Sequence, residues 1–221
     1  GYNTALGKSA LHTNTTGASN TASGYAALYY NTTGGYNTAY GQNSQITNTT
    51  GAQNTASGYG SLRENTTGPN NTATGYRALY SNTTGTSNTA IGHNVLKTNT
   101  TGQYNTAVGR TALHLNTTGV NNTTSGYRSM YANTTGARNT ASGYYALKMN
   151  TTGAYNTAMG YRALCLNTAG CNTAFGNAAL AANTTGVNLV AVGSGALSNN
   201  TTGSCNTAVG LNALYTNTTG N

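Results

Sequence analysis

Residues 12–24 read HTNTTGASNTASG. Two Asn-Thr pairs, two glycines and one small apolar residue recur in this order. The phrase returns as YYNTTGGYNTAYG at 29–41, SNTTGTSNTAIG at 81–92 and LNTTGVNNTTSG at 115–126. Anchored on its second asparagine, the chain aligns on Asn3, Asn20, Asn37, Asn54, Asn71, Asn88, Asn105, Asn122, Asn139, Asn156, Asn172, Asn188 and Asn206. The spacing is 17 residues nine times in succession, then 16, 16 and 18. The result is thirteen copies of N-T-A-x-G-x-x-A-L-x-x-N-T-T-G-x-x, whose positions are numbered 1 to 17 below.

Position 5 is Gly from Gly7 to Gly210, and position 15 is Gly from Gly17 to Gly220. Glycine at a fixed phase marks a backbone demand, either φ > 0 or close approach of a neighbouring chain. Position 3 is Ala almost throughout, with Thr124 as an exception, and position 9 is Leu in most copies. Gln45 breaks that column, and the adjacent Ile46 reads as an apolar plug slipped by one. A 17-residue unit is too short for a helix pair, and Gly, Asn and Thr are poor helix formers. The pattern predicts an all-β chain, a parallel β-solenoid or β-roll of about 13 coils with one repeat per coil. Two short strands per coil, NTAxG and xxALxx, would stack at about 4.8 Å, so thirteen coils would span about 60 Å.

The expected core is thin: Ala at 3, a small residue at 8, Leu at 9 and a mixed residue at 4. Asn at positions 1 and 12 would form ladders, each amide donating to one neighbouring coil and accepting from the other. Such a slender object has much surface for its volume, and self-association would cover exposed strand faces. The 16- and 18-residue spacings read as two deletions and one insertion at corners, where a solenoid tolerates them. Residues 1–221 read as a single array that opens and closes in mid-phrase, a stretch of a longer fibre protein.

NTAIGHNVL, NTAVGRTALHLNTTG and NTAMGYRAL resemble repeats of phage tail-fibre and bacterial surface-fibre proteins. More distantly they resemble the head repeats of YadA-type trimeric adhesins, which carry N-S-x-A-x-G in each coil. The resemblance implies an extracellular, cell-surface or virion fibre, often a homotrimer of left-handed β-rolls. The period here is longer than in the adhesin heads.

Catalysis has little to work with. General acid–base chemistry uses carboxylates or His near one another, but Glu64 is the sole acid and there is no Asp. His12 and His114 share position 10 six coils apart, about 29 Å at solenoid spacing. No catalytic, metal or cofactor site is expected. Cys165 and Cys171 flank a shortened turn and are a candidate disulfide, with free thiols as the alternative. Cys171 and Cys205, about 9.6 Å apart at that spacing, are too far for one. No apolar run reaches the roughly 18 residues of a membrane helix.

The net charge is +8, which favours acidic partners such as lipopolysaccharide, nucleic acid or acidic glycan. The basic residues fall at variable positions, and so do most tyrosines. Tyr25, Tyr59, Tyr76, Tyr127, Tyr144 and Tyr161 occupy position 6, and Arg77, Arg128 and Arg162 occupy position 7. They read either as an outward stripe for a cell-surface glycan, with no specific nucleic acid implied, or as an aromatic ladder that stiffens the scaffold.

N-T-T at position 12 is an N-glycosylation acceptor pattern. It occurs at Asn14, Asn31, Asn48, Asn65, Asn82, Asn99, Asn116, Asn133, Asn150, Asn183, Asn200 and Asn217. The competing account is an Asn ladder at a turn, needing no sugar. Ice binding by Thr ladders is a third functional class. It suits the sequence least, because the Thr residues at 13 and 14 are adjacent rather than alternating on one face.

Overall fold

Residues 1–221 are described in a computed structural model. It is all-β, a parallel solenoid with one three-residue strand per coil and no helix. The chain divides into two compact units, Gly1–Val108 and Gly109–Asn221. In the first, β1 (Thr4–Leu6), β2 (Thr21–Ser23), β3 (Thr38–Tyr40), β4 (Thr55–Ser57), β5 (Thr72–Thr74), β6 (Thr89–Ile91) and β7 (Thr106–Val108) pair in chain order. In the second, β8 (Thr123–Ser125), β9 (Thr140–Ser142), β10 (Thr157–Met159), β11 (Thr173–Phe175), β12 (Val190–Val192) and β13 (Thr207–Val209) do the same. Every pairing is parallel and in register, Thr on Thr and Ala on Ala except where Val190 or Thr124 intervenes.

The strand covers positions 2 to 4. Successive strand side chains face opposite sides, so position 3 points inward while 2 and 4 point out. Ala22, Ala39, Ala73 and Ala158 are fully buried, whereas Tyr40, Ile91, Met159 and Phe175 at position 4 are exposed. Position 4 therefore does not belong to the core. Thr124, the exception at position 3, is buried and hydrogen-bonds the Ser129 hydroxyl at 2.6 Å across the interior.

The expected second strand, xxALxx, is a run of turns instead. Positions 7 and 9 are left-handed in coil after coil, for example Arg77 (φ 50) with Leu79 (φ 50) and Tyr145 (φ 60) with Leu147 (φ 51). Reversing the sign of φ twice turns the backbone amides alternately to the two neighbours. Arg77 N donates back to the Tyr59 carbonyl at 2.9 Å, and Leu79 N donates forward to the Val95 carbonyl at 3.0 Å. Left-handed backbone is costly for a residue with a Cβ, and this coil-to-coil bonding together with burial of Leu offsets it. Leu28, Leu62, Leu96, Leu113 and Leu164 are fully buried. Gln45 keeps the same place, buried with φ 49, and its Nε2 donates to the Thr38 carbonyl at 3.0 Å. Ile46 remains at position 10 and half-buried, so no plug slips. Fixed φ holds Gln45 in phase, and a backbone carbonyl is within reach of its amide.

The two asparagine columns are both buried but differ in use. At position 12, Asn48 Nδ2 donates to Asn31 Oδ1 at 2.8 Å and Asn65 Nδ2 to Asn48 Oδ1 at 2.9 Å. That column is the expected amide ladder. At position 1 it is the backbone N–H of Asn54 that donates to Asn37 Oδ1, at 3.0 Å. Both Nδ2 groups of one coil converge on the position-15 carbonyl: Asn54 and Asn65 each reach the Gly68 carbonyl at 2.9 Å. This trio explains the glycine. A Cβ on Gly68 would lie 2.7 Å from Asn65 Oδ1 and closer still to the Gly85 carbonyl. The position-5 glycine is required twice over, since Gly24 has φ +137 and a Cβ there would lie 2.6 Å from the Gly41 carbonyl.

The register in the last coils differs from the letter-matched alignment. β12 pairs Thr173 with Val190 and Ala174 with Ala191. Leu189, not Asn188, therefore holds position 1, and it is fully buried while Asn188 is exposed. The array has one deletion and no compensating insertion. In the shortened coil Ala169 takes the place of the position-15 glycine. Its carbonyl accepts both Asn156 Nδ2 and Asn167 Nδ2 at 2.8 Å. The cost is local: Asn150 Oδ1 is left buried without a partner, and the ladder resumes with Asn183 Nδ2 on Asn167 Oδ1 at 2.7 Å.

Leu189 predicts a difference between the two columns. Its backbone N–H still donates to Asn172 Oδ1 at 3.1 Å, so leucine at position 1 removes the onward link and one of the two donors to the position-15 carbonyl, which keeps the other from position 12. Leucine at position 12 strands the amides of both neighbours. Asn48→Leu should cost about 3 kcal/mol and Asn54→Leu clearly less, read as urea midpoints at unchanged slope.

Candidate binding face on the outer surface

Positions 6, 7 and 10 lie together on the outside. Positions 8 and 9 between them point in, which brings 6 and 10 to either side of 7. In the first unit Tyr59, Tyr76 and His93 stack at position 6, with ring centroids 5.5 and 5.0 Å apart and planes within 18°. The Arg77 guanidinium lies over Tyr76 at 5.1 Å and over Tyr80 at 5.3 Å. Tyr80 is also held by Arg63, which lies 5.4 Å from its ring centre and whose Nη1 donates to the Tyr80 hydroxyl at 2.9 Å. Tyr25 stands apart, because its column neighbours are Lys8 and Gln42 rather than rings.

In the second unit the column Tyr127, Tyr144, Tyr161 stacks at 5.2 and 5.5 Å. Arg128 lies over Tyr127 and Tyr131, both at 5.4 Å, and repeats the Arg77 arrangement. Arg162 lacks that frame, because the residue at its position 10 is Cys165. The sequence reading leaves Tyr145 out of the stripe. It sits at position 7, 4.1 Å from Tyr144 by ring centroid, with Lys148 Nζ 4.5 Å from its own ring centre. Its signal was present, since Tyr145 has the phase of Arg77 and Arg128. The aromatic ladder therefore exists as geometry, and the cations are interleaved with it.

The electrostatics are one-sided. Glu64 pairs with Arg63 at 3.6 Å, and residues 109–221 contain no acid. The Nε groups of Arg77 and Arg128 are buried between rings without a hydrogen-bond partner. The Tyr145 phenol is held below the usual tyrosine range, first by its hydrogen bond with Tyr144 and then by Arg128 and Lys148. Tyr144 is pushed up, first by the same hydrogen bond. Arg128 is raised, with Tyr127 the largest cause.

The sequon asparagines are interior groups. Asn31, Asn48, Asn65, Asn82, Asn99, Asn116, Asn133, Asn150, Asn183 and Asn200 are fully buried. Asn31 Nδ2, for instance, donates to Asn14 Oδ1 at 2.7 Å and to the Gly34 carbonyl at 2.9 Å. Only Asn14 and Asn217, in the first and last coils, are partly exposed. A sugar on these nitrogens has no room while the ladder is closed. All three cysteines are free. Cys165 is buried and Cys171 exposed at position 17, so the two lie on different sides of the coil wall and the candidate bridge does not form. No group of three His, Cys, Asp or Glu side chains comes together. His12 stacks on Tyr29 at 4.9 Å and His114 on Tyr131 at 5.3 Å. No helix is long and apolar enough to cross a membrane.

The strand face carries an outward Thr column at position 2, interrupted only at Val190, which meets the first objection to ice binding. Its partner column at position 4 is irregular, with Tyr40, Met159 and Phe175 standing out of it. Comparison with protein-family models, with curated proteins and with solved structures found no match.

Mass spectrometry of the protein from its native source should find Asn31 through Asn200 of the position-12 column unmodified. A phenolate titration followed in the ultraviolet should lose its earliest step in Tyr145→Phe. In Arg128→Gln, which removes one of the groups that lower Tyr145, that step should move to higher pH.

Proposed function

We propose that this chain is a stretch of a rigid extracellular, cell-surface or virion fibre, without catalytic activity, whose job is to space and display outward side chains. The observation that carries the reading is the division of labour within each coil. Positions 1, 3, 9, 12 and 15 are spent on neighbouring coils, so the scaffold scales with copy number. Positions 4, 6, 7, 10 and 17 vary freely on the outside. A scaffold that changes its surface without changing its interior suits adhesion or filament assembly. The exposed apolar residues at position 4, among them Val108, Phe175 and Val192, support association with further copies of the same chain, as a trimer or a filament.

The resemblance of NTAMGYRAL to fibre repeats points the same way. The single carboxylate, already paired with Arg63, supports the absence of a catalytic role. Ice binding is the weaker reading, because a surface that matches a lattice needs both strand columns flat.

Antibody raised against residues 1–221 should label filaments projecting from cells or particles in electron micrographs of the source. Label confined to the cell interior would overturn the reading. Mass photometry of the purified chain should show multimers, and a single-chain mass at every concentration would remove the self-association part.

A further inference from the structure

The Tyr127–Tyr144–Tyr161 column ends abruptly. At position 6 the next coil has Asn177, at position 7 Ala178 and at position 10 Ala181. Two columns of large side chains, at positions 6 and 7, drop to smaller ones in one coil, and position 10 is already small at Cys165 one coil earlier. The step leaves a hollow of about 270 Å³, walled by Tyr161 and Arg162 on one side and Ser198 and Asn199 on the other, over a floor of Ala178 and Ala181.

Each wall has a definite chemistry. Tyr161 is stacked on Tyr144 only, so its face toward Asn177 carries no ring. Tyr144, the one inner ring of the column, has a ring on both faces. Arg162 is exposed and lies outside any ring sandwich, unlike Arg77 and Arg128. No acidic side chain is available to it anywhere in residues 109–221. A free guanidinium is suited to two parallel hydrogen bonds with a carboxylate. The hydroxyl of Ser198 and the amide of Asn199 supply both donors and acceptors opposite. A small apolar floor with a few convergent polar groups is the usual form of a small-molecule site.

We propose that this hollow binds one carboxylated pyranose unit of an acidic glycan, its ring against the side of Tyr161 that no second ring covers and its carboxylate on Arg162. A polynucleotide fits less well. Binding of single strands uses a succession of ring faces on which successive bases stack, and this column offers one. A ring cannot enter between Tyr127, Tyr144 and Tyr161, which are held at coil spacing by the backbone. The inference borrows from the proposed function only the expectation that glycans are within reach. Labelling of filaments and binding of sugars can fail separately.

The test uses the full chain, with calorimetry and ligand-observed NMR. The probes are glucuronic acid, N-acetylneuraminic acid, neutral galactose and, as the nucleotide probe, a single-stranded oligoadenylate. One or both sugar acids should bind saturably, while galactose and the nucleotide should not. Arg162→Gln should weaken binding about tenfold, as loss of a charged hydrogen-bonding partner implies. Asn177→Tyr extends the column by a residue that position 6 already accepts at Tyr161, and it should abolish binding without lowering the melting temperature. Ala178→Tyr, a residue already accepted at position 7 as Tyr145, should fill the floor with the same result. The proposal is overturned if neither acid saturates, if the nucleotide binds as well as the acids, or if affinity survives Arg162→Gln or both filling variants unchanged.

Discussion

A buried primary amide is expensive unless every donor and acceptor on it is used. In this molecule that constraint is met in most coils, where the asparagines at positions 1 and 12 share the carbonyl at position 15, the Leu189 coil and Asn150 Oδ1 being exceptions. The arrangement dictates the spelling. Position 12 must be Asn because its amide donates twice and accepts from the next coil, as Asn65 does toward Gly68, Asn48 and Asn82. Position 15 must be small because the amide oxygen and the next carbonyl crowd it. Position 1 has more latitude, since its bond to the preceding coil comes from the backbone, and Leu189 uses that latitude. The core of Ala and Leu is too thin to hold the coils by area alone. The amide columns give each coil a fixed phase relative to its neighbours.

That phase is what lets the outside vary. The left-handed residues at 7 and 9 split the second half of the coil into an inward leucine and an outward side chain of any size: Arg77, Gly60, Tyr145 and Ala178 all occupy position 7. The substitutions alter the outer columns and leave the interior trio untouched. The aromatic and cationic column of the second unit, and the hollow where it stops, are therefore surface features written on a constant backbone.

Much of this was legible in the sequence. The period gave the coil, the two glycines gave the crowded corners, and the Asn columns gave the ladders. What escaped has physical causes. The sign of φ at Leu79 or Leu147 is not announced by the residue, since leucine ordinarily avoids that region, so a turn run looked like a strand. The direction of position 4 was lost because apolar residues there suggested burial, while strand alternation set by Ala at position 3 sends them out. Matching on the letter Asn placed Asn188 in the ladder, whereas counting back from Gly193 would have found Leu189. Gly170 likewise carries the repeat's letter while Ala169 carries the accepting carbonyl. Of the site, the Tyr and Arg phases were visible. The hollow was not, because it consists of absences; its trace is the run NAALAAN at 177–183, small where the preceding coils are large.

The left-handed positions also bear on how such an array comes into being. A lone coil would carry the cost of two or three left-handed residues, roughly 1–2 kcal/mol each, with no partner for the amides that those conformations aim outward. Its interior asparagines would have half their bonds. A coil laid against an existing one recovers both at once. Folding then has the character of crystal growth in one dimension: a slow seed of a few coils, followed by fast addition at a front that presents a ready template. The same front would accept a matching coil from another chain as readily as the next coil of its own.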